Sequence, residues 1–192
     1  MTPPPRPGKL IVLNGLPAAG KLTLGRALAA ESGAILLDNH LLIDPVVAVI
    51  PERGAAHYAL RRAVAAPIFD ALRERLLAGS SALLTACLSD DDVGSGIMAD
   101  YVAIAGADIP LLWVNAVAPP DVLRARVASE ERRRGDKSKL TDVAVLETML
   151  HVTLARPPET HNVRAVELDA SGSLEDSVRR LTKIAGLSTL TL

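Results

Sequence analysis

Gly15-Leu16-Pro17-Ala18-Ala19-Gly20-Lys21 sets two glycines and a lysine at the spacing of a phosphate-binding loop. Phosphate binding calls for glycine because the backbone must curl around the anion with its N–H groups turned inward. It also calls for a helix start, whose unbonded N–H groups and dipole favour negative charge. Lys21 would add a mobile cation for the β- and γ-phosphates. The chain has sixteen arginines but five lysines, at positions 9, 21, 137, 139 and 183, which makes a lysine at this place hard to read as compositional drift. One feature departs from the full motif. Leu22 stands where a metal-holding Ser or Thr is expected, with Thr23 one position late, and a leucine cannot ligate a metal.

Other groups could take part. Asp38 and His40 follow a short apolar run, and Asp90, Asp91 and Asp92 follow another. Three adjacent carboxylates repel one another unless a cation or solvent screens them, so this run is either metal-facing or a solvated turn that caps a helix. Arg61 and Arg62 share a helical stretch and could grip an anion by a bidentate pair, or could simply be solvated. A third group, Arg124, Arg126, Arg132, Arg133 and Arg134, is set against Glu130 and Glu131, with Arg126 and Glu130 at i, i+4 pairing distance.

These residues need elements to position them. Lys9 to Leu13 reads as a buried strand ending in the Asn14-Gly15 turn, and Lys21 to Glu31 as a helix stopped by Ser32-Gly33. Ala34 to Leu37 is a second strand; Leu41 to Ile50, broken by Asp44-Pro45, is a short helix or loop. Tyr58 to Ala78 is helical and should kink or restart near Pro67. Ala82 to Leu88 is a third strand, followed by a helix to Ala105 capped by Ser95 or Asp92. Ile109 to Val114 is the fourth strand, and Pro119-Pro120-Asp121 starts a helix to about Arg134. Thr141 caps a helix from Asp142 to about Leu154. Arg164 to Leu168 is the fifth strand and Leu174 to Ile184 the last helix. Strands alternating with helices, each strand buried on both faces, give an α/β fold with a mostly parallel five-stranded sheet. Residues 1–8 read as a flexible tail and 9–192 as a single domain.

Composition narrows the function. The 192 residues are 49% hydrophobic, with 21 basic against 22 acidic side chains. That charge balance excludes the basic footprint of a nucleic-acid binder. Four aromatics leave no stacking platform for bases. The one cysteine, Cys87, cannot form an internal disulfide, and no secretion signal or membrane-spanning run is expected, so a cytoplasmic protein fits best.

Gly15 to Ala29, Leu37-Asp-Asn-His-Leu-Leu-Ile-Asp-Pro45, the arginine-rich helix from Asp121 and Lys-Leu-Thr-Asp142 together resemble the P-loop small-molecule kinases. That group includes shikimate kinase, gluconate kinase, chloramphenicol phosphotransferase and the nucleoside monophosphate kinases; the segment after the second strand most resembles bacterial shikimate-kinase-like ATP-binding proteins. The resemblance implies a P-loop NTPase fold with a helical lid at about 121–141 and ATP with Mg2+ bound across Gly15 to Thr23. It implies Asp38 at the acceptor hydroxyl, with His40, Arg61 or Arg62 as further acceptor contacts and Asp90 near the metal. Arg126 would lie at the nucleotide, and Arg132 or Arg133 on the transferring phosphoryl group. The expected activity is γ-phosphoryl transfer to a hydroxyl of a small acceptor by a monomer or homodimer. The alternatives are a nucleoside or nucleotide kinase, and a nucleotide-binding switch without transfer, for which Leu22 is the best argument.

Overall fold

Leu10–Asn14 (β1) is buried along its whole length because it runs through the centre of the sheet. The computed structural model describes residues 6–130, 134 and 140–187. β1 is flanked by Ala82–Thr85 (β3) on one side and Leu111–Val117 (β4) on the other. Ile35–Leu37 (β2) and Val163–Asp169 (β5) form the edges, giving the order β2-β3-β1-β4-β5 with every pairing parallel.

Alternate residues of β1 feed two cores. Ile11 and Leu13 pack with Leu24 and Leu28 of α1 (Lys21–Ser32), Leu123 of α5 (Pro120–Ala128), Leu146 of α6 (Val143–Met149) and Leu181 of α7 (Leu174–Ala185). Leu10 and Val12 face Leu72 and Leu76 of α3 (Ala55–Leu77) and Tyr101 and Ile104 of α4 (Asp92–Ala105). α2 (His40–Val49) joins β2 to α3. The expectation of strands buried on both faces holds for the inner three. The edge strands differ: β2 is half-buried, and β5 alternates buried Val163, Ala165 and Leu168 with exposed Arg164 and Glu167.

Several expected boundaries give way to local hydrogen bonding. Pro45 lies inside a continuous α2, where the carbonyl it cannot serve belongs to exposed Leu41 and can meet water. α3 likewise runs 23 residues through the exposed Pro67 without restarting. β3 stops at Thr85 rather than Leu88, because residues 88–90 pair with 153–155 instead: Ala155 N–H donates to Leu88 O at 2.9 Å and Asp90 N–H to Thr153 O at 2.8 Å. α5 ends at Ala128, not near Arg134; Ser129 turns extended and its hydroxyl donates to Arg126 O at 2.9 Å. Asp142, not Thr141, caps α6, and that helix ends at Met149 rather than Leu154. Gly8, read as tail, donates its N–H to Leu76 O at 2.8 Å.

The two backbones at 88 and 155 are held by buried amides. Asn14 and Asn115 are register partners on β1 and β4. Asn14 Oδ1 accepts from Leu88 N–H at 2.8 Å, while its Nδ2 donates to Leu88 O at 3.1 Å and to Asn115 Oδ1 at 3.0 Å. Trp113 Nε1 donates to Asn115 Oδ1 and to Ala155 O, each at 3.0 Å. Truncating Asn14 would leave the Leu88 N–H without an acceptor in a dry place, while the Leu88 carbonyl keeps the Ala155 N–H. Asn14→Ala is therefore expected to lose about 2–3 kcal/mol in denaturant unfolding; a loss below about 0.5 kcal/mol would show that the network bears no structural weight.

Candidate active site

The chain leaves β1 at Gly15, where a Cβ would sit 2.4 Å from Ala116 O of the neighbouring strand. Only glycine allows β4 to approach so closely, and its φ of 155° adds to the requirement. Ala18 (φ 65°) and Gly20 (φ 84°) then take the left-handed conformation that bends the loop back into α1. Such a sequence of dihedrals turns successive N–H groups toward one concave side. A Cβ on Gly20 would meet nothing within 4 Å, so the cradle is open at the helix N-terminus, where first-turn amides have no intrahelical acceptor. Lys21 Nζ donates to the carbonyls of Gly15 and Leu16, both at 2.8 Å. The ammonium is thus held across the loop it would share with a phosphate.

This geometry fits the phosphates of a nucleoside triphosphate. Leu22 is apolar and cannot ligate a metal, and the described residues contain no group of three or more His, Cys, Asp or Glu placed to hold a metal ion. Magnesium here would arrive with the nucleotide.

Asp38 follows β2, two strands from β1 at the same carboxyl edge, where open α/β sheets bind ligands. One of its oxygens accepts from the Thr85 hydroxyl at 2.6 Å, and that hydroxyl in turn accepts from Asn39 N–H at 2.9 Å. Thr85 ends β3, so the strand adjacent to β1 orients the carboxylate. Thr85 was not among the residues expected from sequence; its strand-terminal place in a run of aliphatics was the available signal.

The remaining candidates separate. Arg61 is buried and donates to Asn39 Oδ1 at 2.9 Å, next to Asp38. Arg62, one residue on, is exposed and paired with Asp100 at 2.9 Å. His40 is half-buried and bonded to Asp44 at 3.0 Å, a pairing within α2. Of the acidic run, Asp91 is the helix cap in place of the expected Ser95 or Asp92, accepting from Gly94 N–H at 2.7 Å. Asp90 is exposed and lines a cavity of about 430 Å³ beside Leu16 and Ala19 of the loop.

Arg126 does not pair with Glu130, as their spacing suggested, because α5 ends between them; Glu130 pairs with Arg134 at 2.7 Å. Arg126 instead donates to Ala170 O at 2.9 Å and to Ala18 O and Ser171 O at 3.4 Å, joining α5 to the phosphate loop and to the β5–α7 turn. Arg124 forms a bidentate pair with Glu147 of α6 at 2.5 and 3.1 Å. Arg132 and Arg133 lie outside the described residues.

A family model described as AAA domain matches residues 10–155. No curated protein matches the sequence. Among solved structures, a sugar kinase from Janibacter sp. HTCC2649 is 15% identical with a TM-score of 0.65, covering 94% of this chain and 96% of its own. Shikimate kinase from Bacteroides thetaiotaomicron is 21% identical with a TM-score of 0.55, covering 93% and 99%. A gluconokinase from Sinorhizobium meliloti 1021 is 18% identical with a TM-score of 0.54, covering 95% of each chain. At these identities the likeness is one of fold. No helix among the described residues is long and apolar enough to cross a membrane.

The split between neighbouring aspartates can be tested. The Ser89 hydroxyl, foremost, and the Gly94 N–H hold the Asp91 carboxyl below its ordinary value. A lowered folded-state pKa means that stability is present above the unfolded value and is lost as pH falls through the folded one. Asp91→Ala is expected to cost about 1 kcal/mol near neutral pH, a difference from wild type that vanishes below the carboxylate range. Asp90→Ala should stay within about 0.5 kcal/mol. Thermal unfolding between acid and neutral pH checks both, and equal losses for the two would refute the assignment.

Proposed function

The chain belongs to the AAA_33 family of AAA domains, and from that premise we propose that it is an ATP-dependent phosphotransferase acting on a hydroxyl of a small-molecule acceptor. The observation that carries this reading is the open cradle at Gly15 to Lys21 with an oriented carboxylate, Asp38, on the same edge of the sheet. Bound Mg-ATP would supply the phosphoryl group, whose phosphorus gains a bond to the acceptor oxygen as its bond to the β–γ bridging oxygen breaks and ADP leaves. Lys21 and the loop amides hold the phosphates in line. Asp38 orients the acceptor hydroxyl and takes its proton late in transfer, while the Thr85 hydroxyl keeps the carboxylate from rotating away. Arg126 ties the start of the lid segment, about 121–141, to the loop, and Arg132 or Arg133 brings positive charge to the equatorial oxygens.

A switch protein that binds nucleotide without transfer is the second reading, favoured by Leu22 in place of a metal-holding Ser or Thr. Acceptor-stimulated ADP release across a panel of hydroxylated metabolites separates the two, and its complete absence would favour the switch.

Lys21→Ala is expected to abolish or strongly weaken ATP binding in calorimetry without loss of folding. Equal affinity in the variant would overturn the assignment of the loop. Asp38→Asn keeps the oxygen that faces Thr85 but not the base, and should lower kcat by about 10²- to 10⁴-fold with ATP affinity retained; an unaltered kcat would remove Asp38 from the mechanism. For Arg132→Ala and Arg133→Ala, made singly, at least one should lose about tenfold in kcat, equal to about 1.4 kcal/mol of transition-state stabilisation. Full kcat in both, at saturating Mg-ATP and acceptor, would end the catalytic lid assignment.

A further inference from the structure

Trp113, Asn115 and Asn14, all buried, form a chain of hydrogen bonds that ends one residue before the phosphate loop. Two groups that can only donate fix its direction. At one end the Trp113 indole N–H is shared between Asn115 Oδ1 and Ala155 O, so Asn115 must present its oxygen to the indole. At the other end the Leu88 N–H donates to Asn14 Oδ1, so Asn14 must turn its Nδ2 toward Asn115. The two demands agree. Asn14 Nδ2 donates to Asn115 Oδ1 at 3.0 Å, and Asn115 Nδ2 is left to reach Ala155 O at 3.3 Å. Neither amide can turn over without setting donor against donor.

Asn115 acts on the loop from the neighbouring strand. It is the register partner of Asn14, and the next residue, Ala116, places its carbonyl where a Cβ on Gly15 would clash. The start of the loop is therefore set against two consecutive residues of β4, one by a side-chain bond and the other by close approach. Its far end is set by α1. Between them Ala18 keeps a φ of 65°, a conformation that persists in a residue with a Cβ only where the surroundings over-determine it. An amide bonded on both sides supplies part of that determination. An apolar side chain of the same size supplies packing but no fixed direction.

We propose that Asn115 is a positioning residue for nucleotide binding, which ties the start of the phosphate loop to the segment around Ala155, so that phosphates on the loop are felt at the Trp113 indole. Hydrogen bonds in such a chain polarise one another. A change at Gly15 has a short path to follow, through Asn14 and Asn115 to Trp113, with Ala155 joined to the last two. The proposal rests on Gly15 to Lys21 as a nucleotide site and not on phosphoryl transfer.

Trp113 is the one tryptophan of the chain and gives one indole N–H resonance in a nitrogen-edited NMR spectrum. Mg-ATP titrated into the full chain should move that resonance with a midpoint equal to the calorimetric Kd. Asn115→Leu keeps the bulk of the amide and removes its bonds. At a temperature where circular dichroism shows it folded, it should bind ATP about tenfold more weakly or worse. At saturation its indole resonance should stay where it lies without nucleotide. A role confined to stability would lower Tm and leave the ATP affinity of the folded variant unchanged, and that result overturns the proposal. So does a wild-type indole resonance that stays still while calorimetry shows ATP bound, a readout that needs no variant to fold. An indole shift of wild-type size in Asn115→Leu also overturns it. Acceptor-stimulated ADP release separates this role from the phosphotransferase reading. Weakened ATP binding in Asn115→Leu, with no acceptor stimulating release in wild type, defeats the kinase and leaves the positioning role standing. Full ATP affinity in Asn115→Leu, with acceptor-stimulated release in wild type, defeats the positioning role and leaves the kinase.

Discussion

Two buried amides, Asn14 and Asn115, lie side by side at the carboxyl ends of β1 and β4, and the functional edge of the sheet is organised around their need for partners. An amide placed in a dry interior must be fully bonded or it costs more than the apolar residue it displaces. Here the bonds can be made only if the segments at Leu88 and Ala155 come in to make them. Chain from beyond β3 and from beyond α6 is thereby drawn over the strand ends, and the cavity beside the phosphate loop is bounded by what results. Replacing the amides by apolar side chains would keep the sheet and release its rim.

The phosphate loop inherits that rigidity. It begins one residue after Asn14, at a glycine pressed against Ala116 O, and ends at a helix whose cap is left-handed. Strand and helix at its two ends are both buried in the same core, so the loop can store the left-handed Ala18 without relaxing. Arg126 adds a third anchor from α5. The same rim carries the Asp38–Thr85 pair, so the proposed phosphate site and the proposed base are set by neighbouring strands of one sheet rather than by mobile segments.

Adjacent charges of one type meet opposite fates here. Arg61 and Arg62 are consecutive on α3, yet a step of about 100° around a helix leaves the first buried and bonded to Asn39 and the second exposed and paired with Asp100. Asp90 and Asp91 divide in the same way: one carboxylate is spent on the N-terminus of α4, and the other faces the cavity by the loop. A residue's charge states what it could bind. Its direction from the backbone states whether it can.

The sequence alone determined what depends on local rules: the glycines and lysine of the loop, the stop of the first helix at Gly33, and the alternation that makes a parallel sheet. These are readable because φ preference, capping and periodicity act over a few residues. The ends of β3, α5 and α6 were misread, since each is set by a partner more than twenty residues away or by a hydroxyl turned back on its own helix. Only the tertiary structure decided that Asn14 is a structural tie, that Thr85 orients Asp38, and that Tyr101, with the look of one more core aromatic, is buried beside Arg61. Burial and hydrogen-bond satisfaction are properties of segments brought together from far apart in the chain, and no window of sequence contains them.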